Sequence, residues 1–342
     1  MQRMMLIGAG EVRWEDASEP TLSGAGAAIV RPLAIATCDL DVGVLRGGFP
    51  LQGPYPFGHE GVAEVVAVGD AVREITIGDI VVVPFQISCG SCAPCRRGRT
   101  GNCATYPRLS TYGLGAMGGL SWGGLLADLA EVPHADAMLV KVPAGISPLA
   151  VASASDNLPD AWRTVGPQLA ADPGAEVLVV GGDGGPNSIG LYAVGIALGL
   201  GASRVVYVDH VPERLEVAAA FGADVVDGPP PAKAGAFAIT VDASGTEAGL
   251  RCALNSTAFD GTCTSPSVYL SDPSVPMFSM YSRCCTLHTG RAHVRPAIPQ
   301  VLALVAAGFD PSLVTSSVVS WTDAEAALAH PPLKLVIARD TG

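Results

Sequence analysis

The feature that most restricts the fold is a strand, a glycine-rich loop, a helix and a second strand in direct succession. Residues 176–180 are apolar and β-branched, and residues 181–188 are mostly glycine and small polar residues. An apolar helix is expected over 189–200, and a second strand over 204–208 ends in Asp209. Such a succession folds as a parallel β-α-β unit whose glycine loop turns helix N–H groups toward a phosphate.

This unit predicts a dinucleotide cofactor. The expected contacts in the loop and at the start of the helix are Gly181, Gly185, Asn187, Ser188, Ile189 and Gly190. Asp209 suits a ribose 2′-hydroxyl and repels a 2′-phosphate, which favours NAD over NADP. The loop is longer than the usual G-x-G-x-x-G pattern, and Asn187 stands where its middle glycine is expected. Which atoms hold the pyrophosphate is therefore left open.

The pattern of strand and helix continues along the chain. Helices are expected over 213–221 and 247–254, strands over 223–227 and 237–242, and late strands near 262–264 and 286–289. Alternating strands and helices imply a doubly wound parallel sheet. Residues 4–143, in contrast, contain short apolar runs separated by turn residues, and we expect strands and loops of barrel-like character there.

Four cysteines form the strongest local motif. Cys89, Cys92, Cys95 and Cys103 have the spacing C-x2-C-x2-C-x7-C. Short steps of this kind let thiolates converge on one ion, and four sulfurs complete a tetrahedral zinc site with no open position. The motif therefore predicts a structural zinc; an iron–sulfur cluster or free thiols are the alternatives.

A fifth cysteine lies in the segment Cys38-Asp39-Leu40-Asp41, and Gly58-His59-Glu60 follows after a loop rich in glycine and proline. A thiolate and an imidazole are ligands that zinc prefers. Asp41 and Glu60 are carboxylates of the kind that support such a pair or serve as a reserve ligand. The alternative is a buried thiol and an ordinary core histidine.

Bulk composition excludes several classes of function. A chain of 342 residues suits two domains. A net charge of −12 disfavours nucleic-acid binding, because phosphate neutralisation dominates that affinity. No apolar run reaches the roughly 18 residues that cross a bilayer, and no signal peptide is evident, so we expect a cytoplasmic protein. Nine cysteines in such a chain indicate metal binding or a reducing compartment rather than disulfides.

Taken together, these motifs resemble the zinc-containing medium-chain dehydrogenase/reductase family, of the alcohol dehydrogenase type. The resemblance covers nearly the whole chain and includes the order of the motifs. It implies an α/β protein with a partly open, GroES-like β-barrel catalytic domain, residues 1–150 and 290–342. It also implies a Rossmann domain with a doubly wound parallel sheet, residues 151–289, and an active site in the cleft between the domains. The resemblance further implies a small-molecule substrate and assembly as a homodimer or homotetramer.

The resemblance also assigns roles to single residues. Cys38, His59 and Asp156 are expected to bind a catalytic zinc, the second of two zinc ions per chain. Glu60 resembles the acid that moves onto the zinc during ligand exchange, and Asp41 resembles the carboxylate behind the ligands. The remaining expected cofactor contacts, near the end of the sheet, are His288, Thr289 and Arg291.

One departure from the family concerns proton transfer. Leu40 stands where the family usually has a serine or threonine, and Gly43 or Val44 where many members have a histidine. Asp39, Glu60 or water would have to replace that relay. Three hypotheses follow: NAD-linked interconversion of an alcohol and a carbonyl, reduction of iminium ions or activated C=C bonds, and non-catalytic binding of zinc and nucleotide.

Overall fold

The structure is a computed structural model that describes residues 1–51, 53–115, 122–185 and 187–339. It divides into two compact units. The first contains Met1–Pro159, His293–Ala306 and the chain from Thr315 onward, and the second contains Asp160–Ala292 and Ala307–Val314. Within the described ranges, no helix is both long enough and apolar enough to cross a membrane.

The unit boundaries differ from those expected from the sequence. The boundary expected at 150/151 lies at 159/160, inside a helix, and the one expected at 289/290 lies at 292/293. Residues 307–314 also belong to the second unit rather than to the barrel. As a consequence, Asp156 belongs to the same unit as Cys38 and His59.

The regular elements of the described residues are as follows. The strands are β1 (Gln2–Gly8), β2 (Glu11–Asp16), β3 (Ala28–Ala36), β4 (Tyr55–Pro56), β5 (Glu60–Val68), β6 (Ile80–Val83), β7 (Ala130–Val132), β8 (Val140–Lys141), β9 (Val177–Val180), β10 (Val205–Asp209), β11 (Asp224–Asp227), β12 (Phe237–Asp242), β13 (Thr257–Ser265), β14 (Thr286–Thr289), β15 (Ser317–Ser320) and β16 (Leu335–Ala338). The α-helices are α1 (Asp39–Leu45), α2 (Ala93–Arg96), α3 (Ala135–Met138), α4 (Asn157–Ala171), α5 (Asn187–Gly199), α6 (Pro212–Phe221), α7 (Glu247–Ser256), α8 (Met277–Arg283), α9 (Val294–Ala306) and α10 (Ala324–Ala329). Short 3-10 helices occupy Thr100–Asn102, Ala152–Ser155, Pro311–Val314 and Trp321–Asp323.

The first unit is built on a sheet in the order β15-β16-β3-β5-β6-β8, with β7 also paired to β3. A smaller sheet has the order β2-β1-β4. β3 is the central strand and is almost entirely apolar, as expected for a strand covered on both faces. Its one proline, Pro32, lies at a shift in the register with β5, where a missing N–H disturbs the ladder least.

A helix interrupts the stretch for which the sequence predicted only strands and loops. Helix α1 follows β3 directly, and Cys38 is its N-cap. The Cys38 sulfur accepts a hydrogen bond from Leu40 N–H, and the Asp41 carboxylate accepts one from Cys38 N–H. This reciprocal capping satisfies donors that a helix start otherwise leaves unpaired, and a sulfur in the capping role conceals it from sequence rules based on Ser, Thr, Asp and Asn.

The second unit is a six-stranded parallel sheet in the order β11-β10-β9-β12-β13-β14. Numbered from β9, this is the order 3-2-1-4-5-6 of a doubly wound nucleotide-binding fold. β9 lies at the centre and is fully buried. Helix α5 is buried over residues 188–197, in agreement with its uniformly apolar sequence. The predicted α/β fold class, with a doubly wound parallel sheet, is confirmed.

Helix α4 contains a proline in its interior. It continues through Gly166 and Pro167 to Ala171. Pro167 has no N–H for the carbonyl of Arg163, and the side-chain amide of Gln168 donates to that carbonyl instead, at 3.3 Å. The side chain thus replaces the hydrogen bond whose loss would otherwise end the helix.

One glycine of the barrel predicts a measurable packing constraint. A Cβ on Gly124 would lie closer than van der Waals contact to the carbonyl oxygen of Phe57, two residues before His59. We expect Gly124→Ala to destabilise the chain by about 2 kcal/mol, because overpacking displaces backbone. Urea unfolding followed by tryptophan fluorescence measures this change.

Gly24→Ala is the matched control, because a Cβ on Gly24 meets nothing within 4 Å. An unchanged unfolding midpoint for Gly124→Ala would show that the Phe57 segment moves freely away from the added methyl group.

Candidate functional site

Three segments of the first unit meet at a buried group of potential metal ligands. Cys38 lies just after β3 and His59 just before β5, and these strands are antiparallel neighbours with Ala36 paired to Glu60. Asp156 lies between a 3-10 helix and α4. One ligand atom from each of Cys38, His59 and Asp156 lies within 4.8 Å of the other two, and all three residues are buried.

The His59 ring is held between two carboxylates. Its Nδ1 lies 3.4 Å from Asp41 Oδ1, and its Nε2 lies 3.4 Å from Asp156 Oδ2. Both ring nitrogens are buried, and among the residues that the structure describes neither has a hydrogen-bond partner of good geometry. A carboxylate behind one nitrogen is the usual support for a histidine that binds a metal through the other. The arrangement leaves Nε2 directed at Asp156 and available to an ion.

The charges of this group favour a bound cation. Burial lowers the pKa of His59, but the carboxylates of Asp41 and Asp156 outweigh it and hold that pKa well above its usual range. Burial, together with the charge of Asp156, raises the pKa of the Cys38 thiol. An ion here would satisfy the ring nitrogen and offset the negative charge that makes the thiolate costly. The set of sulfur, nitrogen and oxygen donors is one that zinc accepts, so the residues fit the metal that the sequence predicted.

The other acidic residues of the α1 segment have different positions. Asp41 is buried and bonds to Cys38 N–H, so it holds both the cysteine backbone and the His59 ring. Asp39 is half-buried in the first turn of α1 and is not one of the three grouped ligands. Leu40 is also half-buried and packs against the apolar core of the barrel.

Glu60 is not one of the three grouped ligands, and both of its carboxylate oxygens have partners in the protein. Its Oε1 accepts a hydrogen bond from Asn157 N–H at 3.1 Å, and its Oε2 accepts one from Lys334 Nζ at 2.9 Å. Burial raises the pKa of Glu60 to about 7, although the Lys334 ammonium acts to lower it. Both oxygens are therefore engaged by the protein in this structure.

Asn157 and Lys334 are site residues that the sequence analysis missed. Asn157 is fully buried, and its Nδ2 donates to Cys38 Sγ at 3.2 Å and to Asp156 Oδ2 at 3.3 Å. Its position directly after Asp156 could have indicated a role. Lys334 carries no motif, and only its rarity, as one of three lysines in the chain, sets it apart.

The four-cysteine lobe forms the second group of potential metal ligands. Cys89, Cys92, Cys95 and Cys103 offer sulfurs within 4.8 Å of one another. Hydroxyl donors stabilise the thiolate of Cys89. Burial raises the pKa of this thiol, but hydrogen bonds from Ser91 and Thr105 outweigh burial and lower the pKa to about 5. Four converging sulfurs fit a structural zinc and leave no position open.

The glycine loop of the second unit lies close to two neighbouring segments. A Cβ on Gly181 would overlap the Asp209 carboxylate, and a Cβ on Gly185 would overlap the Ala243 carbonyl. Helix α5 begins at Asn187, whose Oδ1 is buried without a hydrogen-bond partner among the described residues. Ser188, Ile189 and Gly190 are buried in the first turn, and Pro186 lies outside the described residues. A helix start at the carboxyl edge of a parallel sheet fits a dinucleotide phosphate.

Asp209 occupies the predicted end of β10 but is more enclosed than the sequence suggests. It is fully buried, with Oδ2 bound by the Tyr207 hydroxyl at 2.7 Å and Oδ1 bound by Arg214 Nη2 at 2.8 Å. Burial raises the pKa of Asp209, but Arg214 and Tyr207 outweigh this and hold it below its usual value. The acid is ionised, and its charge is paired with Arg214, which the sequence analysis did not identify.

The last predicted cofactor contacts lie apart from the loop. His288 and Thr289 end β14, the edge strand, and both are exposed, as is Arg291. β14 is three strands from β9, a distance of about 14 Å at ordinary strand spacing. These residues share the carboxyl edge of the sheet with the loop but are not brought into contact with it.

Models of two protein families match this chain. An alcohol dehydrogenase GroES-like domain matches residues 24–144, and a zinc-binding dehydrogenase domain matches residues 188–307. The first match contains Cys38, His59 and the four-cysteine lobe. The second begins at the first turn of α5.

Individual relatives extend these matches. A probable zinc-binding alcohol dehydrogenase of Mycobacterium tuberculosis is 32% identical over 317 residues, 90% of this chain and 79% of the relative. A glutathione-independent formaldehyde dehydrogenase of Pseudomonas aeruginosa is 34% identical over 209 residues, 58% of this chain and half of that enzyme. The solved alcohol dehydrogenase TADH from Thermus sp. ATN1 is 29% identical, with a TM-score of 0.87 over 99% of this chain and 100% of its own. The chain therefore belongs to the zinc-containing medium-chain dehydrogenase/reductase family, as an oxidoreductase of the alcohol dehydrogenase type.

Proposed function

We propose that this protein is a zinc-dependent dehydrogenase that transfers a hydride between NAD(H) and an alcohol/carbonyl pair. The observation that carries the proposal is the buried convergence of Cys38, His59 and Asp156. Three protein ligands leave a fourth position for a substrate oxygen, as in catalytic rather than structural zinc sites.

The residues of the first unit would hold and orient the metal. Zinc bound there supplies Lewis-acid polarisation of a substrate oxygen, and the nicotinamide supplies or accepts the hydride. Asp41 fixes the ring of His59, and the Asn157 amide donates to the Cys38 sulfur. Leu40, two residues after Cys38, places an apolar side chain at the sequence position where the family usually has a hydroxyl that accepts the substrate proton.

Leu40 also favours a second candidate function, reduction of iminium ions or activated C=C bonds. Those reactions do not require a protein hydroxyl at the substrate oxygen. Glu60, the acid next to His59, has both oxygens engaged by Asn157 and Lys334 in this structure, which supports this second candidate. A panel of alcohols, aldehydes, ketones, enones and cyclic imines, followed by nicotinamide absorbance, separates the two candidates. Formaldehyde belongs in the panel because one relative is named as a formaldehyde dehydrogenase.

Zinc analysis tests the two metal groups separately. We expect the purified chain to hold two zinc ions, and Cys38→Ser to hold one and to lose turnover, because a hydroxyl is a far weaker ligand than a thiolate. Metal content by atomic emission and turnover with the best substrate of the panel measure these outcomes.

Cys284→Ser is the matched control, because Cys284 is exposed and lies outside both ligand groups. Cys103→Ser is expected to remove the other ion. Wild-type turnover by a Cys38→Ser protein that holds a single zinc ion would refute the proposal.

The proposed preference for NAD rests on the ionised Asp209 beside the glycine loop. Because Arg214 offsets part of the Asp209 charge, we expect only a limited preference for NADH. The Kd for NADH should be about tenfold lower than that for NADPH, a difference of about 1.4 kcal/mol in binding free energy. Asp209→Asn should reduce this ratio, since it leaves the Arg214 charge available to a 2′-phosphate. Nicotinamide fluorescence titrations with both cofactors measure the ratio.

Asp227→Asn serves as the control, because Asp227 pairs with Asp209 in the sheet register and is exposed at the end of β11. Equal or tighter binding of NADPH by the wild-type protein would contradict the assignment.

We also propose that the second unit forms a homodimer through the β14 side of its sheet. Helix α8, which packs on β13, exposes Phe278 and Tyr281 by 84% and 82%, and Phe259 on β13 is 75% exposed. An open parallel edge beside large exposed apolar side chains is a surface that proteins usually cover. Light scattering should give a dimer or a tetramer for the wild type and a smaller species for Phe278→Asp.

Ile77→Asp is the control for this experiment, because Ile77 is 65% exposed but lies in the first unit. A monomeric wild-type protein would rule out this assembly.

A further inference from the structure

Lys334 is a fully buried lysine at the start of the last strand of the barrel. Its relative exposure is 0%, and it directly precedes β16. Its backbone is fixed on both sides: Ser316 N–H donates to the Lys334 carbonyl at 2.9 Å, and Leu335 N–H donates to the Thr37 hydroxyl at 3.1 Å. The position of the side chain is therefore determined by the sheet and not by a mobile tail.

The ammonium group uses its three N–H donors on three separate acceptors. Nζ donates to the Thr37 carbonyl at 2.6 Å, to Glu60 Oε2 at 2.9 Å and to Asn157 Oδ1 at 2.7 Å. An ammonium has three donors and no acceptor, so this group is fully satisfied.

The three acceptors are direct chain neighbours of the three candidate metal ligands. Thr37 directly precedes Cys38, Glu60 directly follows His59, and Asn157 directly follows Asp156. Each of the three candidate metal ligands therefore has a chain neighbour bound to the same nitrogen atom. Lys334 lies 297, 274 and 177 residues along the chain from the three acceptors, so no local structure explains the coincidence.

Asn157 extends the network to the ligand atoms themselves. It receives the Lys334 bond at Oδ1, and its Nδ2 donates to Cys38 Sγ and Asp156 Oδ2. Its backbone N–H donates to Glu60 Oε1, which closes a ring of hydrogen bonds with Lys334. A shift of the ammonium is thus transmitted to a ligand sulfur and a ligand carboxylate through one side chain.

Stability alone is a poor explanation for this lysine. Removing an ammonium and a carboxylate from water is expensive, and an apolar pair of similar volume usually serves a core as well or better. A lysine that joins the three ligand-bearing segments instead fixes the spacing of the ligands before any ion arrives. Ligands that are already in place lose less conformational entropy when the metal ion binds, so less of the binding free energy is spent on ordering them.

We propose that Lys334 is a positioning residue that holds the segments of Cys38, His59 and Asp156 in the spacing that retains the metal ion. This inference rests on the proposed zinc site. Lys334→Met removes the charge and the donors with little change in length. Losing a residue that orients metal ligands usually lowers metal affinity roughly 10–100-fold, and we expect most of this loss to appear as faster release of zinc from the Cys38 group.

The experiment follows zinc release from folded protein to a chromogenic chelator, resolved into the two groups. The four-cysteine lobe is an internal control, because a general loosening of the fold would accelerate both releases, whereas the inference predicts a change only at the Cys38 group. Lys141→Met is the matched control, since Lys141 is a half-exposed lysine paired with Asp79. Its release rates should equal those of the wild type.

The double variant Lys334→Met with Glu60→Gln separates positioning from charge balance. It leaves no unpaired buried carboxylate, so it is the variant expected to fold even where Lys334→Met alone does not. Fast release from the double variant supports the inference, because the links to Thr37 and Asn157 are still missing. If the double variant releases zinc from the Cys38 group at the wild-type rate, the inference is overturned, and Lys334 serves only as a counter-charge for Glu60.

The number of zinc ions in the wild-type protein separates a failure of the proposed function from a failure of the inference about Lys334. A wild-type chain without an ion at the Cys38 group would overturn the proposed function and this inference with it. A wild-type chain with two ions, together with wild-type release from Lys334→Met, would overturn this inference alone.

Discussion

The arrangement of the first unit depends on burying several ionisable side chains in one place. Cys38, Asp41, His59, Glu60 and Asp156 are all buried, and four of them can carry negative charge. Isolated charges in a protein interior are costly, so each of these groups must find a partner or a counter-ion. The chain meets part of this requirement internally, through the Lys334 ammonium and the Asn157 amide. Among the described residues, the His59 ring nitrogens are left without a hydrogen-bond partner, and this is where a metal ion would complete the group. The buried acidic groups of this site therefore outnumber the positively charged side chains that the chain places beside them.

The second unit solves a similar problem in a different way. Asp209 at the end of β10 is enclosed by the Tyr207 hydroxyl, two backbone N–H groups and Arg214. Arg214 in turn contacts Asp183 of the glycine loop at 3.4 Å. The loop and the strand end are therefore joined by charge as well as by the close approach that Gly181 permits. Arg214 is thus shared between the carboxylates of Asp209 and Asp183.

Sequence patterns predicted what short-range rules control. The parallel sheet followed from the strand–glycine loop–helix–strand order, and its fold class is confirmed. The structure brings the four cysteines together because their spacing is local. It also brings Cys38, His59 and Asp156 together, although only the family resemblance had connected Asp156 to the other two.

The features that the sequence did not predict have long-range or side-chain causes. Lys334 finds partners hundreds of residues away, which no window of sequence can show. Helix α4 passes Pro167 because Gln168 supplies the missing donor, and α1 begins with a cysteine acting as its cap. Glu60 was expected from the family resemblance to move onto the metal during ligand exchange, and its partners in the structure, Asn157 and Lys334, come from other parts of the chain. Motifs located the ligands, but the network around them is a property of the folded barrel.

The place of β16 in the chain has a consequence for synthesis on the ribosome. Cys38, His59 and Asp156 are translated early, but Lys334 is translated after every strand of the parallel sheet. While the second unit is being made, the nascent barrel lacks the strand between β3 and β15 and the ammonium that links its ligand segments. Every strand of the parallel sheet is therefore synthesised before Lys334 can join the segments of Cys38, His59 and Asp156.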